Sequence, residues 1–427
     1  MRVLLISANT EKINMPTLPL GLACVAAATQ KAGHEVAMVD LMAEKDVQSV
    51  LKKAIEGFGP NVIGISVRNI DDQNMENPRF LLDPVKEIVA ACRGLSEAPI
   101  VLGGAGYSIF PKSALSFLGA DMGIEGEGEA VFPELIERMG RGASLSGLAG
   151  LYLSSRGLQG RRIFAKHLDA LPLPTTDLWS IPLEKKDLWM PVQTRRGCPL
   201  NCSYCSTGTI EGRMIRRHSP QAMVWWIASL EKAGIHQFYF VDNTFNLPPV
   251  YAKEICRKLI DSGLSIRWWC ILYPNHVDRE LVGLMAKAGC GQVSMGFESG
   301  SKRILKNMNK RFTLAGIRKI SDLLSDHGIR RMGFLLLGSP GETRNSIEES
   351  LAFADSLNLD SLRITAGVRI YPRTSLAKKA IEEGVISSQD DLLLPRFYLA
   401  KGLDPWLRDT LRNWAVKRPH WRVQDYG

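Results

Sequence analysis

No stretch of the 427 residues approaches the roughly 20 consecutive apolar residues that cross a bilayer, so a membrane-spanning helix is not expected. Internal repeats and low-complexity tracts are missing too, which excludes a repeat architecture and leaves ordinary globular domains. Val3–Ala8 is a short apolar run that meets Asn9, Thr10 and Glu11. It reads as a first strand and not as a signal peptide, and the expected location is the cytoplasm, where thiols stay reduced. Neither sign of charge dominates: 53 Lys and Arg stand against 44 Asp and Glu, a net charge of +9. The basic residues are scattered, with clusters at Arg195–Arg196, Arg213–Arg217 and in the C-terminal tail. A solvated surface is the ordinary expectation for them; attraction to an acidic substrate, a nucleic acid or a membrane surface is the alternative. What is present, 45% hydrophobic and 23% charged residues, is the composition of a soluble protein long enough for two or three domains.

The cysteines fall into two groups. Cys24, Cys92, Cys256, Cys270 and Cys290 are widely spaced within apolar patterns and read as small core residues. Cys198, Cys202 and Cys205 lie within Arg196-Gly197-Cys198-Pro199-Leu200-Asn201-Cys202-Ser203-Tyr204-Cys205, a C-x3-C-x2-C spacing. Close-set thiolates suit an iron–sulfur cluster or zinc. Structural zinc takes four protein ligands, and no fourth cysteine or histidine lies nearby at a suitable spacing. His218, thirteen residues beyond Cys205, comes nearest. A disulfide fits poorly, because three is odd. Three ligands on a four-iron cluster leave one iron open, which makes a working site.

C-x3-C-x2-C with an aromatic residue before its third cysteine resembles the radical S-adenosylmethionine (SAM) superfamily. The resemblance implies a 4Fe-4S cluster on Cys198, Cys202 and Cys205 as catalytic and metal ligands. Its open iron would chelate SAM, and an electron from the cluster would release a 5′-deoxyadenosyl radical.

Residues 1–145 alternate short apolar strands (Val3–Ser7, Glu35–Val39, Val62–Val67, Ile100–Leu102, Met122–Ile124) with helical segments. This is an α/β pattern, a parallel sheet covered on both faces, of the doubly wound Rossmann-like (flavodoxin-like) kind. Ligands of such sheets sit at the carboxyl ends of the strands. Three loops there stand out: Ser66-Val67-Arg68-Asn69, Gly103-Gly104-Ala105-Gly106 and Glu125-Gly126-Glu127-Gly128-Glu129. Glycines let a backbone approach a large flat ligand. With Pro19-Leu20-Gly21-Leu22-Ala23 and Gly33-His34-Glu35-Val36, these loops resemble the cobalamin-binding domain ahead of some radical SAM enzymes. That resemblance implies Ser66, Arg68, Asn69, Gly103, Gly104, Gly126 and Glu127 as cobalamin contacts. The Ala8–Leu18 loop lacks the Asp-x-His-x-x-Gly of other cobalamin proteins, which puts a histidine ligand to cobalt in doubt but not cobalamin itself. His34 reads as closing a helix–strand turn.

Residues 146–190 read as a linker, with a hairpin at Gly147–Gly160 and a stiff Leu171–Thr176 segment. From 191 to 376 a second alternation gives six β/α units, which resembles the partial (β/α)6 TIM-type barrel of radical SAM enzymes. Residues 377–427 read as a C-terminal helical extension, in which Leu407, Leu411 and Trp414 share a helical face that packs on the barrel or, alternatively, forms a lid or touches lipid. Barrel active sites lie at the carboxyl ends of the strands. The family resemblance places Tyr204 at the adenine of SAM, Glu298 at its ribose, and Asp242 or Asn243 at its methionine amino group. Gly338, in the Gly-Ser-Pro-Gly-Glu-Thr turn after the fifth strand, is a weaker SAM contact, and Tyr371-Pro372 would border the substrate cavity. In each of the pairs Trp225–Trp226 and Trp268–Trp269 one ring is expected to face inward.

The resemblance as a whole implies a cobalamin-dependent radical SAM methyltransferase. One SAM would methylate cobalamin, a second would yield the radical, and an unreactive substrate carbon would receive the methyl group. A cyclase or rearrangement enzyme without methyl transfer, and a cobalamin-binding sensor or carrier with an inactive barrel, are the alternatives. The implied partners are a small-molecule or peptide substrate and an electron donor such as flavodoxin or ferredoxin, with no nucleic acid.

Overall fold

The computed structural model describes residues 1–10, 18–179 and 189–423. Most of the Ala8–Leu18 loop, part of the linker and the last four residues of the tail lie outside the described residues. The chain forms two compact units. One takes Met1–Asp72, Phe80–Trp189 and Thr209–His218; the other takes Gln73–Arg79, Met190–Gly208 and Ser219–Gly427.

The first unit is built on a seven-stranded sheet of β1 (Arg2–Ser7), β2 (Glu35–Asp40), β3 (Val62–Ser66), β4 (Ile100–Gly103), β5 (Met122–Ile124), β6 (Leu151–Leu153) and β7 (Gly157–Leu158) in the order 2-1-3-4-5-6-7. The first five strands are parallel, with Ser7 beside Ser66 and Ser66 beside Gly103. The expected hairpin supplies β6 and β7 as antiparallel additions. Val3, Leu4, Leu5 and Ile6 are all at most 1% exposed, so both faces of β1 are covered, as a doubly wound sheet requires. Val3 and Leu5 join Leu22, Ala26, Phe132 and Leu135 in one core, under helices Leu20–Lys31 and Gly128–Gly140. Burying each large aliphatic side chain contributes on the order of 1.5–3 kcal/mol. The strand order reverses between β1 and β3, the switch point where such sheets bind ligands.

The second unit holds β8 (Met190–Val192), β9 (Gln237–Phe240), β10 (Arg267–Leu272), β11 (Cys290–Glu298), β12 (Arg330–Leu337) and β13 (Ser361–Ala366) side by side in sequence order, all parallel. This is the strand succession of the six expected β/α units. The exposure of the strands has a period of two. Phe238, Phe240, Trp268, Cys270, Leu362 and Ile364 are buried, while Gln237, Tyr239, Trp269, Arg363 and Thr365 are only half-buried. One face is therefore sealed by helices and the other, polar and aromatic, is left accessible. In both tryptophan pairs one ring does face inward: Trp226 and Trp268 are buried, and Trp225 is exposed.

The tail adds a feature that its sequence does not announce. After helix Trp406–Val416, Trp421–Val423 forms β14 and pairs in parallel with β13 through Leu362–Trp421 and Ile364–Val423. Trp414 and Trp421 stack at 5.6 Å, and Arg418 lies 4.3 Å and 5.0 Å from their ring centres while pairing with Asp355 at 2.5 Å. The tail thus packs on its own unit. Of the basic clusters, Arg195 and Arg196 are both buried, whereas in Arg213–Arg217 only Arg216 is buried and Arg213 and Arg217 are exposed.

Candidate active site

The loop carrying the three cysteines leaves the carboxyl end of β8. Cys198 is buried, Cys202 half-buried and Cys205 exposed. The loop is clamped from two sides. Ser203 N donates to Met308 O at 3.1 Å and Asn309 Nδ2 donates to Asn201 O at 2.6 Å, while Leu376 N donates to Ser203 O at 2.8 Å. Among the described residues, no three His, Cys, Asp or Glu side chains converge on a single ion. A four-iron cluster does not ask for that, because each thiolate takes a different iron. It asks for three soft ligands along one held loop, and this loop supplies them. His218 lies in the first unit, buried, with Nδ1 3.2 Å from Asp169.

Tyr204 and Glu298, ninety-four positions apart, meet here. Tyr204 Oη donates to Glu298 Oε1 at 2.9 Å. Lys310 Nζ donates to Tyr204 Oη at 3.0 Å and to Glu298 Oε1 at 3.3 Å. Glu298 sits at φ +63°, where the ladder between β11 and β12 slips a register. A bulge of this kind re-aims a side chain, and the left-handed backbone of a non-glycine residue there is held by its surroundings. Burial, and then the Glu298 charge, push the Tyr204 phenol well above its usual range, so it stays protonated and donates. Burial also pushes the Cys202 thiol up, against the pull of the Lys310 ammonium. Lys310 carries no periodic or motif signal and was not anticipated. The one local hint is Asn309 at φ +58°, a left-handed helix stop that turns the chain back to the loop.

Asp242 and Asn243 divide sharply. Asp242 is 0% exposed, and both its oxygens are engaged: Oδ1 accepts from Thr194 N at 2.7 Å and Arg195 N at 3.1 Å, and Oδ2 accepts from Thr194 Oγ1 at 2.6 Å and pairs with Arg195 Nε at 3.2 Å. The expected contact with a SAM amino group does not suit a carboxylate so enclosed. Asp242 anchors the strand that feeds the cysteine loop. Asn243 is half-buried and faces that loop, since Thr207 Oγ1 bridges it at 3.4 Å to Cys205 Sγ at 3.3 Å.

Gly338 is needed for backbone shape. It lies at φ +100°, and a Cβ there would stand 2.7 Å from Leu399 Cδ1. Its N–H donates to Glu342 Oε2, which also accepts from Ser339 N at 2.7 Å. Burial raises the Glu342 carboxyl to about 7, with these amides opposing. Because the folded value lies above the unfolded 4.5, the folded chain binds the proton more tightly. The stability this gives is full below the unfolded value and is lost as pH rises through 7. From about pH 5 to about pH 8 the unit is expected to lose about 2 kcal/mol, about 5 °C in melting midpoint. Glu342→Gln mimics the neutral form and should flatten that decline; parallel slopes of midpoint against pH for the two proteins exclude the assignment.

In the first unit, a cavity opens at the switch point, lined by Asn9 and Thr10 after β1 and by Val67, Arg68 and Asn69 after β3, with Ala8, Leu81 and Val85. Arg68 and Asn69 are thus placed as expected, whereas Ser66 is not among the lining residues and its carbonyl accepts from Ala8 N at 3.3 Å. Gly104 serves the protein's own backbone. At φ +101° its missing Cβ would be 2.6 Å from Val67 O, which accepts from Gly106 N at 3.0 Å. Gly103 differs: among the described residues no atom lies within 4 Å of where its Cβ would be, so they leave the end of β4 bare. Gly126, at φ +98°, donates its N–H to Ser108 Oγ at 2.9 Å, and a Cβ there would be in ordinary contact with Arg162 and Phe164 at 3.8 Å and 3.9 Å. Glu127 pairs with the buried Arg216 at 2.5 Å and accepts from Ala165 N at 2.8 Å, while Glu125 pairs with Arg162 at 3.1 Å. These carboxylates hold neighbouring segments, so among the described residues Gly103 and the Arg68–Asn69 turn that lines the cavity are what the strand ends present. That bare edge fits a large flat ligand.

Comparison with known proteins agrees with both halves. Residues 6–136 match the B12 binding domain and residues 192–354 the Radical SAM superfamily. An uncharacterised methyltransferase of Pyrococcus horikoshii is 28% identical over 399 residues, 90% of this chain and 84% of that protein. Tryptophan 2-C-methyltransferase of Streptomyces laurentii is 23% identical over 442 residues, 88% of this chain and 74% of the relative. The solved structure of the radical SAM methyltransferase TsrM from Kitasatospora setae, with tryptophan and a SAM analogue bound, has the same fold, with a TM-score of 0.87 at 22% identity over 99% of this chain and 90% of that one. The chain thus carries a B12 binding domain ahead of a radical SAM domain, the arrangement of the cobalamin-binding radical SAM enzymes that its sequence resembles.

Proposed function

We propose that this protein is a cobalamin-dependent radical SAM methyltransferase that places a methyl group on an unreactive carbon of a small molecule or peptide. The observation that carries this reading is the clamped Cys198–Cys205 loop, gathered with Tyr204 and Glu298, in a chain that also bears a B12 binding domain. The relatives named above are methyltransferases. When bound, the cluster and cobalamin supply the electron that splits SAM and the methyl group that is delivered. The chain's own residues position and enclose. Cys198, Cys202 and Cys205 hold the cluster; Tyr204 and Glu298 offer a phenol and a carboxylate to the adenosine of SAM; Asn243 stands at the exposed cysteine. Arg68, Asn69, Gly103 and Gly126 form the cobalamin edge. Holding reactants in one geometry removes much of the entropic barrier, and the cofactors do the remaining chemistry. The site would act in the cytoplasm with an electron donor such as flavodoxin or ferredoxin. No helix among the described residues is long and apolar enough to cross a membrane.

A second reading draws on one relative. The anaerobic magnesium-protoporphyrin IX monomethyl ester cyclase of Rubrivivax gelatinosus is 26% identical over 386 residues, so cyclisation without methyl transfer has a precedent of similar distance. Anaerobic turnover with SAM labelled in its methyl group, a reductant and a small-molecule extract separates the two. Methyl transfer is expected to yield a product bearing one labelled methyl, with both S-adenosylhomocysteine and 5′-deoxyadenosine formed. Deoxyadenosine with no labelled product supports the cyclase, and the absence of deoxyadenosine rejects both.

A further inference from the structure

We propose that Met75 is a positioning residue for SAM, acting through the paired turns at the carboxyl ends of the fifth and sixth barrel strands. The proposal rests on the radical SAM reading above. Met75 lies within the span that matches the B12 binding domain, just beyond the Arg68–Asn69 turn. Gln73–Arg79 nevertheless belong to the second unit, while Asp72 and Phe80 on either side belong to the first. The segment is a strap with a built shape. Its base is closed by the Asp71–Phe80 bridge and by Leu81 N, which donates to Ile70 O at 2.8 Å. Its tip is turned by Asn74, whose Oδ1 accepts from Glu76 N at 2.8 Å and Asn77 N at 2.9 Å. Glu76 pairs with Arg408 of helix Trp406–Val416 at 2.8 Å.

Within the second unit Met75 lies over Gly367. Gly367 is the first residue beyond β13, at φ +78°, and its N–H donates at 2.8 Å to the carbonyl of Leu337, the last residue of β12. Met75 Sδ takes the place of a Cβ on Gly367, and Met75 Cβ and Cγ stand 3.0 Å and 3.1 Å from that point. On its other side Gly367 N and Cα are 3.3 Å and 3.4 Å from where a Cβ on Gly338 would be. Met75, Gly367 and Gly338 are thus packed in succession across two strand ends, the edge where such barrels hold their reactants. A glycine has no side chain to steady its own turn, and the thioether of Met75, unbranched and adaptable, fills that space. A methionine that only pinned the strap would be sealed in. Met75 is half-buried, so part of it stays accessible at the strand ends. Without the thioether the Gly367 and Gly338 turns gain freedom, and binding SAM must order them at a cost in affinity.

The test is equilibrium dialysis of labelled SAM against the anaerobically reconstituted full-length protein, without reductant so that no SAM is consumed. Met75→Ala is expected to weaken SAM binding about tenfold, with iron content, cobalamin content and melting midpoint as in the parent. Met75→Leu keeps the volume and should stay within about threefold of the parent. Glu76→Gln breaks a partly exposed ion pair and should stay within about twofold. Unchanged SAM affinity in an iron-replete Met75→Ala protein overturns the proposal. An equal loss in Glu76→Gln overturns it too, because docking of the strap and not the thioether would then be the cause, and so does an equal loss in Met75→Leu. Weaker SAM binding that comes with lost iron or a lower midpoint assigns Met75 to the fold and likewise overturns it. A parent protein that takes up no iron and sulfide, or that binds no SAM, sinks the proposed function instead, so the two failures are distinguishable.

Discussion

Cys202→Ala is expected to reduce 5′-deoxyadenosine formation to background while cobalamin binding is retained. The fold argues that this loss reports on a ligand and not on a collapsed loop. The neighbours of Cys202 are fixed through their backbones, Asn201 by Asn309 and Ser203 by both Met308 and Leu376. None of these bonds uses the thiol. The Cys202 side chain itself is half-buried, so its truncation leaves little of the cavity that makes core substitutions costly. The proposed cobalamin contacts are drawn from residues of the other compact unit, whose core does not include this loop. Cys92→Ala is the matched control. That thiol is buried in the first unit and pushed up to about 11 by desolvation, which suits an inert core group. It should keep its full iron content and activity. Iron and sulfide analysis, with chromatography of the nucleoside product, measures both variants. Deoxyadenosine still formed by Cys202→Ala would remove the cysteine loop from the mechanism.

How far the sequence speaks for the site depends on whether a feature is local. The strands of the first sheet were legible because each is a continuous apolar run bounded by turn residues, and burial on both faces requires that pattern. The cysteine loop was legible because its three proposed ligands lie on one short segment. Tyr204 and Glu298 were each marked by their motifs, but their contact across ninety-four positions exists only in the folded chain. Lys310 was invisible for a different reason: a single lysine in a polar turn looks like any solvated charge until tertiary packing encloses it. Arg195 and Arg216 were read as surface for the same cause. The strand Trp421–Val423 escaped because three residues between charged neighbours carry no period, and it forms by adding to the free edge of Ser361–Ala366. Glycine was the subtler case. The Gly103–Gly104 pair was marked as special, yet Gly104 is required by the carbonyl of Val67, and of the two only Gly103 has no atom of the described residues near its Cβ position.

Asp242→Ala is expected to destabilise the radical SAM unit by about 3–5 kcal/mol, the range for breaking a buried ion pair by removing one partner. Arg195 is 2% exposed and Asp242 0% exposed, so the orphaned guanidinium has no water to turn to. Its remaining neighbours are Thr194 Oγ1, the Leu247 carbonyl and the rings of Phe245 and Tyr251, none of which carries a compensating negative charge. Two backbone amides, Thr194 N and Arg195 N, also lose their acceptor, and a buried donor left unpaired costs about 1–3 kcal/mol. In a unit of this size the melting midpoint should fall by about 10 °C. Because the anchored residues stand three and four positions before Cys198, iron retention should fall at temperatures where the parent still holds its cluster. Asp242→Asn keeps the shape and one acceptor oxygen but not the charge, and should lie between the two. The competing role, a carboxylate that grips the amino group of SAM, predicts the opposite split: normal melting without SAM and a loss seen only in SAM affinity. Calorimetry of the SAM-free protein decides between them, because the buried pair is at work there whether or not SAM is bound.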